Sequence, residues 1–327
     1  MSHGSVKSNF SAPSGENLSR VSILRDRAAL FQAVRTFFAE RGVIETDCPV
    51  ISASASVDAH IDLIPAIDVQ GAHRFLHSSP EYGMKRLLAE GMGDIYQLAH
   101  VFRQGEYGYK HNPEFMMAEW YRLEFSFEKM IEETFDFIRL FLGSLPGNTI
   151  SYREAILKHT GIDYVTATTA ELVAFLKEDL YEGAAQEGKD ALLNILLPIY
   201  VEPHLGEGEL TALAYYPATQ AALAKTRTIE GASVAERFEV YYKGVELANG
   251  YHELADAKEQ RQRLHEANQE RQRLGKPVLP IDENFLQALE KGLPPCCGVA
   301  VGVDRLMMLR HGATSLKEVI PFDWQTA

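Results

Sequence analysis

Cysteine is scarce in this 327-residue chain: Cys48 and the adjacent Cys296 and Cys297, with no metal-ligand spacing among them. An odd count with one adjacent pair makes a poor disulfide framework, so a reducing cytoplasm is the expected setting. No apolar run is long enough to cross a bilayer, and the polar N-terminus lacks the apolar centre of a signal peptide. Basic residues are outnumbered, 32 Lys and Arg against 45 Asp and Glu, for a formal charge of −13. No basic stripe is visible, which argues against a surface built to grip a long polyanion. Internal repeats and low-complexity linkers are lacking too. What is left, 46% hydrophobic and 24% charged residues, describes a globular chain of one large domain or two small ones.

Residues 1–22 read as a polar tail rich in Ser, Asn and Gly, and 23–327 as one domain. From Ile23, apolar Leu30, Phe31, Val34, Phe37 and Phe38 recur at helical spacing until Gly42, a helix stop. Val43 and Ile44 open a strand expected to end near Pro49. Ser78 or Ser79 stands near the N-cap of a helix through Met84, Leu87 and Leu88. Glu81 falls in its first turn, where a carboxylate complements the helix dipole. Glu128 to Leu142 is amphipathic. A helical insertion of about residues 145–200 shows capping-box spacing at Ser151 with Glu154 and at Thr168 with Glu171. Asp256 to Arg273 reads as a charged, solvated helix, and Ile281 to Glu290 as another helix.

Three stretches carry chemistry. In Gln97–Arg122, Gln97, Ala99, Val101 and Arg103 alternate with Tyr96, Leu98, His100 and Phe102, and Phe115 to Tyr121 alternate likewise. This predicts a hairpin that sends Arg103, Glu119 and Tyr121 out of apolar strands, either toward water or toward a ligand. In Arg237–Glu253, Lys243-Gly244 suits a two-residue turn, which sets Tyr241 opposite Glu246 and Glu239 diagonal to it. Two carboxylates so placed fit either a solvated face or a hard cation on a polyphosphate. In Gly298–Leu309, small residues lead into a helix near Asp304, which fits either a buried strand–helix corner with one structural arginine or a nucleotide approaching the backbone beside Arg305.

Phe102-Arg103, His111-Asn112-Pro113-Glu114-Phe115, Glu119 and Tyr121 resemble motif 2 of the class II aminoacyl-tRNA synthetases, lysyl branch. The first helix, strand and Pro49 resemble motif 1, and Gly302-Val303-Asp304-Arg305 with its helix resembles motif 3. The run ERFEVYYKGVELANGYHEL is similar to the elongation factor P–(R)-β-lysine ligases. The resemblance implies an α+β class II catalytic core, an antiparallel sheet flanked by helices, with a homodimer interface over Ile23 to Pro49. Motif 1 lies so early that no room is expected for an anticodon-binding OB domain.

The activity implied is ATP-dependent formation of an aminoacyl-adenylate. Arg103 and Arg305 hold the phosphates, Glu106, His111 and Phe115 the nucleotide, and Glu239 and Glu246 bind Mg²⁺. By the same resemblance Glu81 lies near the substrate amino group and Asn249 at its carboxylate. Glu119, Tyr121 and Glu253 ring an ε-ammonium, and Ala300 stands where lysyl-tRNA synthetases have glycine. The implied substrate is (R)-β-lysine or lysine and the acceptor a lysine of elongation factor P, with tRNA disfavoured by the acidic charge. A minimal lysyl-tRNA synthetase and an inactive regulatory paralogue are the other readings. Two departures stand out. Gly105 replaces the usual motif 2 glutamate, with Glu106 beside it. Glu246 and the pair Asn249 and Glu253 also differ in strand parity, which predicts a bulge near Ala248–Gly250, most naturally at Gly250.

Overall fold

The computed structural model describes residues 19–327 except 55, 182 and 187. Most of the expected tail, residues 1–18, therefore lies outside the described residues. Ser19 caps helix α1 (Arg20–Glu40), its hydroxyl accepting from the Ser22 amide, so the helix starts three residues before Ile23. The strand expected to reach Pro49 is laddered only as β1 (Ile44–Glu45), which pairs with one neighbour at the edge of the sheet. An edge strand gains hydrogen bonds on one side only, and Pro49 has no N–H to add.

Strands β2 (Ile51–Ser52), β3 (Pro65–Ile67) and β4 (His73–Leu76) form a small separate sheet. Helix α2 (Glu81–Ala89) leads into the hairpin β5 (Ile95–Phe102) and β6 (Glu114–Leu123), followed by α3 (Phe127–Leu142) and β7 (Gly147–Ser151). Helices α4 (Tyr152–Thr160) and α5 (Thr169–Leu176) each begin with a capping box, at Ser151 and Thr168, and α6 (Lys189–Leu196) follows. Then come β8 (Leu210–Pro217), β9 (Thr226–Ile229), β10 (Ala232–Tyr242) and β11 (Val245–His252). The turn between the last two is Lys243-Gly244, both at positive φ as a tight hairpin demands. Helices α7 (Ala257–Arg273) and α8 (Glu283–Gly292), strand β12 (Cys296–Gly302) and helix α9 (Val303–Arg310) complete the elements used below.

Among the described residues, one sheet runs β1-β5-β6-β12-β11-β10-β8-β7, with β9 added on β10. Pairs β1–β5 and β7–β8 are parallel; the others are antiparallel. Residues such as Trp120, Val299, Phe238 and Val240 face the rear and pack on Val34, Phe38, Phe137, Phe141 and Leu306 of α1, α3 and α9. The residues that alternate with these face the front, which is covered at two places. Tyr82, Met84 and Leu88 of α2 meet Phe285 and Leu289 of α8 over Tyr121. Ile156, Leu172 and Leu196 of the helical insertion cover Leu213, Tyr216 and Tyr241. Between those covers the front face forms a trough.

Helix α7 is not the solvated helix its charges predict. Gln260, Leu264, Asn268 and Arg271 are buried, a stripe at helical spacing. Arg271 donates to the carbonyls of Asp58, Ile61 and Pro277 and pairs with Asp62, so its charge is spent indoors.

Candidate active site

Strand register builds the trough. Gln97 opposes Glu119, Glu119 opposes Ala300, Ala300 opposes Asn249, and Asn249 opposes Glu239. One step along, Tyr121, Gly298, Tyr251 and Arg237 make a second row. Alternation puts both rows on the same face. The floor is low in the middle because β12 supplies only Gly298 and Ala300. A β-carbon at Gly298 would collide with the Tyr121 ring and the Glu253 carboxylate, so glycine is required there.

At one end the trough is acidic. Glu81 and Lys85 lie one turn apart on α2, and Lys85 Nζ is 2.6 Å from Glu81 Oε1 and 2.5 Å from Glu253 Oε2. Burial alone would lower the pKa of this ammonium, but the two carboxylates outweigh burial and raise it. Glu119 has neutral donors instead: Ser79 Oγ at 2.6 Å and Tyr121 Oη at 2.7 Å. Its burial, and then the nearby Glu81, push its pKa up to about 7. Burial pushes Glu253 up as well, against the pull of Lys85. Three carboxylates thus surround one ammonium, a balance that favours uptake of a further cation or a proton.

The other end mixes guanidinium groups and carboxylates. Arg103, just past β5, has its guanidinium 3.6 Å from Glu106 and 5.1 Å from the centre of the Phe115 ring. Its Nε is buried with no hydrogen-bond partner among the described residues, and so is Asn249 Oδ1. Gly105 has φ +79°, a conformation that would strain a glutamate, and Glu106 beside it lies against Arg103. Arg305 Nη1 donates to the Glu246 carbonyl at 2.9 Å, and Nη2 lies 2.8 Å from His111 Nε2. A guanidinium only donates, so that ring nitrogen accepts and His111 is neutral. Desolvation and the Arg305 charge both lower its pKa.

The two glutamates expected at a metal differ. Glu239 is buried, accepting from Tyr216 at 2.7 Å, Tyr241 at 2.6 Å, Arg237 at 2.6 Å and Asn249 at 3.2 Å. Glu246 is open, its side chain 39% exposed and 3.2 Å from Arg305. Glu202 joins them. Burial, then Glu239 and Glu246, raise its pKa to about 7.

Strand β11 is irregular where parity demands it, but not at Gly250. Glu239 pairs with Asn249 and Val240 with Ala248, whereas Tyr241 pairs with Glu246, leaving Leu247 as the extra residue. Leu247 and Ala248 both enter the rear core. Glu246 and Asn249 therefore share the front. Gly250 stays in register opposite Phe238, and a β-carbon there would strike the Phe238 ring, so its small size serves packing.

The structure thus brings Glu81, Glu119, Tyr121 and Glu253 together around Lys85, with Ala300 and Asn249 on the adjoining floor. Arg103, Glu106, Phe115, His111, Arg305 and Glu246 gather beyond them, with Glu239 beneath. Sequence reasoning passed over Lys85, Ser79, Glu202, Tyr216 and Arg237. The i,i+4 spacing of Glu81 and Lys85 is a signal, but surface helix pairs share it.

The family description "tRNA synthetases class II (D, K and N)" matches residues 14–326. Curated proteins named elongation factor P–(R)-β-lysine ligase are similar to this chain. Those of Salmonella typhi, Salmonella gallinarum (strain 287/91 / NCTC 13346) and Salmonella paratyphi B are each 46% identical over 306 residues, covering 91% of this chain and 94% of the relative. The antiparallel-dominated sheet flanked by helices is the catalytic domain of that description, and the chain belongs to the class II (D, K and N) tRNA synthetase family.

Proposed function

We propose that this protein activates (R)-β-lysine or lysine with ATP as an aminoacyl-adenylate and transfers it to a lysine ε-amine of elongation factor P. The observation that carries this reading is Glu119, buried beside Glu81 with only hydroxyl donors, on the same floor as Arg103. A neutral substrate side chain would leave that excess negative charge uncompensated. The names of the relatives supply the acceptor.

In the first step the substrate carboxylate attacks the α-phosphorus, and the bond to the bridging oxygen breaks to release pyrophosphate. The protein's task is positioning and charge neutralisation. Arg103 has an unspent buried donor and spans the carboxylate and α-phosphate. Phe115 is the platform for the adenine, and Glu106 orients Arg103. Arg305, braced by neutral His111, holds the far phosphates. Magnesium, when bound, neutralises the polyphosphate. The open Glu246 and the buried Glu239 fit such an ion, because their repulsion with Glu202 is relieved by it. Among the described residues no group of three or more His, Cys, Asp or Glu side chains is placed to hold a metal ion.

At the other end Glu119 and Tyr121 receive the ε-ammonium, Glu81 lies by the second amine, and Glu253 stands behind Lys85. The Ala300 methyl rises between Glu119 and Asn249 and sets how close the substrate backbone comes. One such methyl is worth roughly 1–3 kcal/mol of discrimination. In the second step the acceptor amine attacks the adenylate carbonyl, an amide forms, AMP leaves and the amine gives up a proton.

The protein works in the cytoplasm as a homodimer through residues 23–49. Ile44 is exposed there at the outer edge of β1, next to a cleft of about 590 Å³ lined by 45–50 with Gln97 and Leu98. No described helix is long and apolar enough to cross a membrane. ATP–pyrophosphate exchange is measured with (R)-β-lysine, lysine and neutral norleucine, and transfer with elongation factor P and with tRNA. Exchange with norleucine equal to lysine sinks the amine reading, and charging of tRNA alone replaces the acceptor. A monomeric mass by light scattering at micromolar concentration removes the dimer.

A further inference from the structure

Glu202 stands beside Glu239 and Glu246, yet no step above gives it a task. It is half-buried in the 3₁₀ turn Glu202–His204, just past the helical insertion. The tip of the β10–β11 hairpin fixes that turn in place. The Lys243 amide donates to the Gly206 carbonyl and the Gly244 amide to the Leu205 carbonyl, each at 2.9 Å. Gly206 has φ +76°, and a β-carbon there would strike the backbone of Tyr241 and Tyr242, so only glycine allows this close approach. The same hairpin sets Tyr241 opposite Glu246. Glu202 thus comes from outside the sheet but is tied to the strand pair that presents Glu246.

The carboxylates of this end differ in what their oxygens already hold. A carboxylate has room for about four donors. Glu239 is full, with Arg237 and Asn249 donating to Oε1 and Tyr216 and Tyr241 to Oε2. Glu202 accepts only from Tyr241 Oη, at 3.2 Å, and that hydroxyl has a single proton and lies 2.6 Å from Glu239. The nearer carboxylate takes the proton. Among the described residues Glu202 has no ion pair and no other side-chain donor. The charges it feels are first those of Glu239 and Glu246, with Lys110 opposing them.

We propose that Glu202 is a positioning residue for the magnesium–nucleotide: beside Glu246, its free oxygens accept hydrogen bonds from water bound to the ion. Mg²⁺ keeps several of its waters and is held by one or two carboxylates plus phosphate oxygens. A carboxylate that joins no group of three metal-ligating side chains still meets that water shell. Glu239, its oxygens filled, acts on the ion by charge and by holding Tyr241 and Asn249. The inference rests on the ATP-dependent reading given above and adds to its magnesium end a carboxylate from outside the sheet.

The test reads metal binding without turnover, in the wild type, Glu202→Gln and Glu202→Asp. Each is loaded with α,β-methylene-ATP, whose bridging carbon blocks release of pyrophosphate. Electron paramagnetic resonance gives the affinity of the loaded protein for Mn²⁺, and calorimetry in EDTA gives that of the metal-free analogue. Hexaamminecobalt(III) stands in for hydrated magnesium; its ammonia ligands do not exchange, so it reports only contacts made through the shell. Glutamine keeps an acceptor for Tyr241 but removes the charge. For Glu202→Gln we expect Mn²⁺ to bind roughly tenfold more weakly and hexaamminecobalt(III) to weaken in step. The metal-free analogue should bind at least as tightly, since a carboxylate facing its phosphates is gone, and lysine affinity should hold.

Wild-type Mn²⁺ affinity in Glu202→Gln overturns the inference. So does weaker Mn²⁺ with hexaamminecobalt(III) unchanged or unbound, which marks direct coordination. Equal weakening of the metal-free analogue marks a folding prop and overturns it too. Should Glu202→Gln fail to fold, Glu202→Asp decides, because its carboxylate is withdrawn by one methylene. Selective weakening of both metal probes then supports the inference, and wild-type affinities or a second failure to fold overturn it. A wild-type protein that takes up neither the analogue nor metal sinks the functional reading and this inference together. Wild-type metal uptake that is indifferent to Glu202 sinks this inference alone.

Discussion

Arg27 Nη1 lies 2.6 Å from Asp304 Oδ1, and both side chains are buried, at 7% and 4% exposure. The other oxygen of Asp304 accepts from the Met116 amide at 2.9 Å. One carboxylate therefore ties the first helix, the second strand of the central hairpin and the start of α9, next to Arg305. The segments that resemble motifs 1, 2 and 3 are thus held at one point behind the trough.

Breaking that pair should destabilise the fold strongly. Arg27→Met leaves Asp304 buried without its cation, an effect of about 3–5 kcal/mol. Adding Asp304→Asn should recover part of the loss. Chemical denaturation measures both, and an Arg27→Met protein as stable as the wild type would show that the pair holds nothing.

Arg103→Ala should abolish pyrophosphate exchange without unfolding the protein. Its guanidinium contacts Glu106 and the Phe115 ring and is not part of the rear core. Deleting a comparable transition-state donor lowers rates roughly 10²–10³-fold. Near-normal exchange by a folded variant would take Arg103 out of the mechanism.

Much of this was legible in the chain because it depends on local rules. Alternation on either side of Gly105–Pro113 gives the hairpin, and Lys243-Gly244 gives a turn whose positive φ values the structure shows. The capping boxes at Ser151 and Thr168 are read directly from spacing. What stayed hidden depends on tertiary partners. Lys85 looks like half of a surface helix pair until Glu253 arrives from a strand 168 residues later. Parity shows that one extra residue lies between Glu246 and Asn249 but not which one. Gly250 attracts the bulge by its freedom, yet it is glycine because Phe238 lies against it. The charges of α7 suggested solvent because the acceptors of Arg271 are backbone carbonyls elsewhere in the chain.

Amine binding should weaken as the medium is acidified. The substrate ammonium stays charged well above neutral pH, so the titrating partner is Glu119, whose pKa burial and Glu81 raise to about 7. A raised carboxylate is protonated below its pKa. Affinity is thus full above that point and falls roughly tenfold per pH unit below it. Glu119→Gln should bind weakly and lose this slope. Lysine affinity that is flat through neutrality in the wild type would remove Glu119 from the amine site.

The extra residue in β11 allows a test of how the strand serves two ends of one site. Leu247 is 2% exposed and, like Ala248, packs into the rear core. Deleting it joins Glu246 to Ala248, so that Tyr241 still faces Glu246, Val240 still faces Ala248 and Glu239 still faces Asn249. The ladder becomes regular, and Glu246, Asn249 and Glu253 all remain on the front. Pairing with β12 begins at Ala248, so that side is untouched. The deletion should therefore destabilise the protein by about 2–5 kcal/mol through lost packing, as Leu247→Ala should. The folded fraction should keep its KM for ATP and its magnesium requirement. Melting curves and exchange assays below the transition measure the two effects. A stable deletion variant that no longer binds ATP would mean that the bend made by the bulge, and not the face it selects, places Glu246.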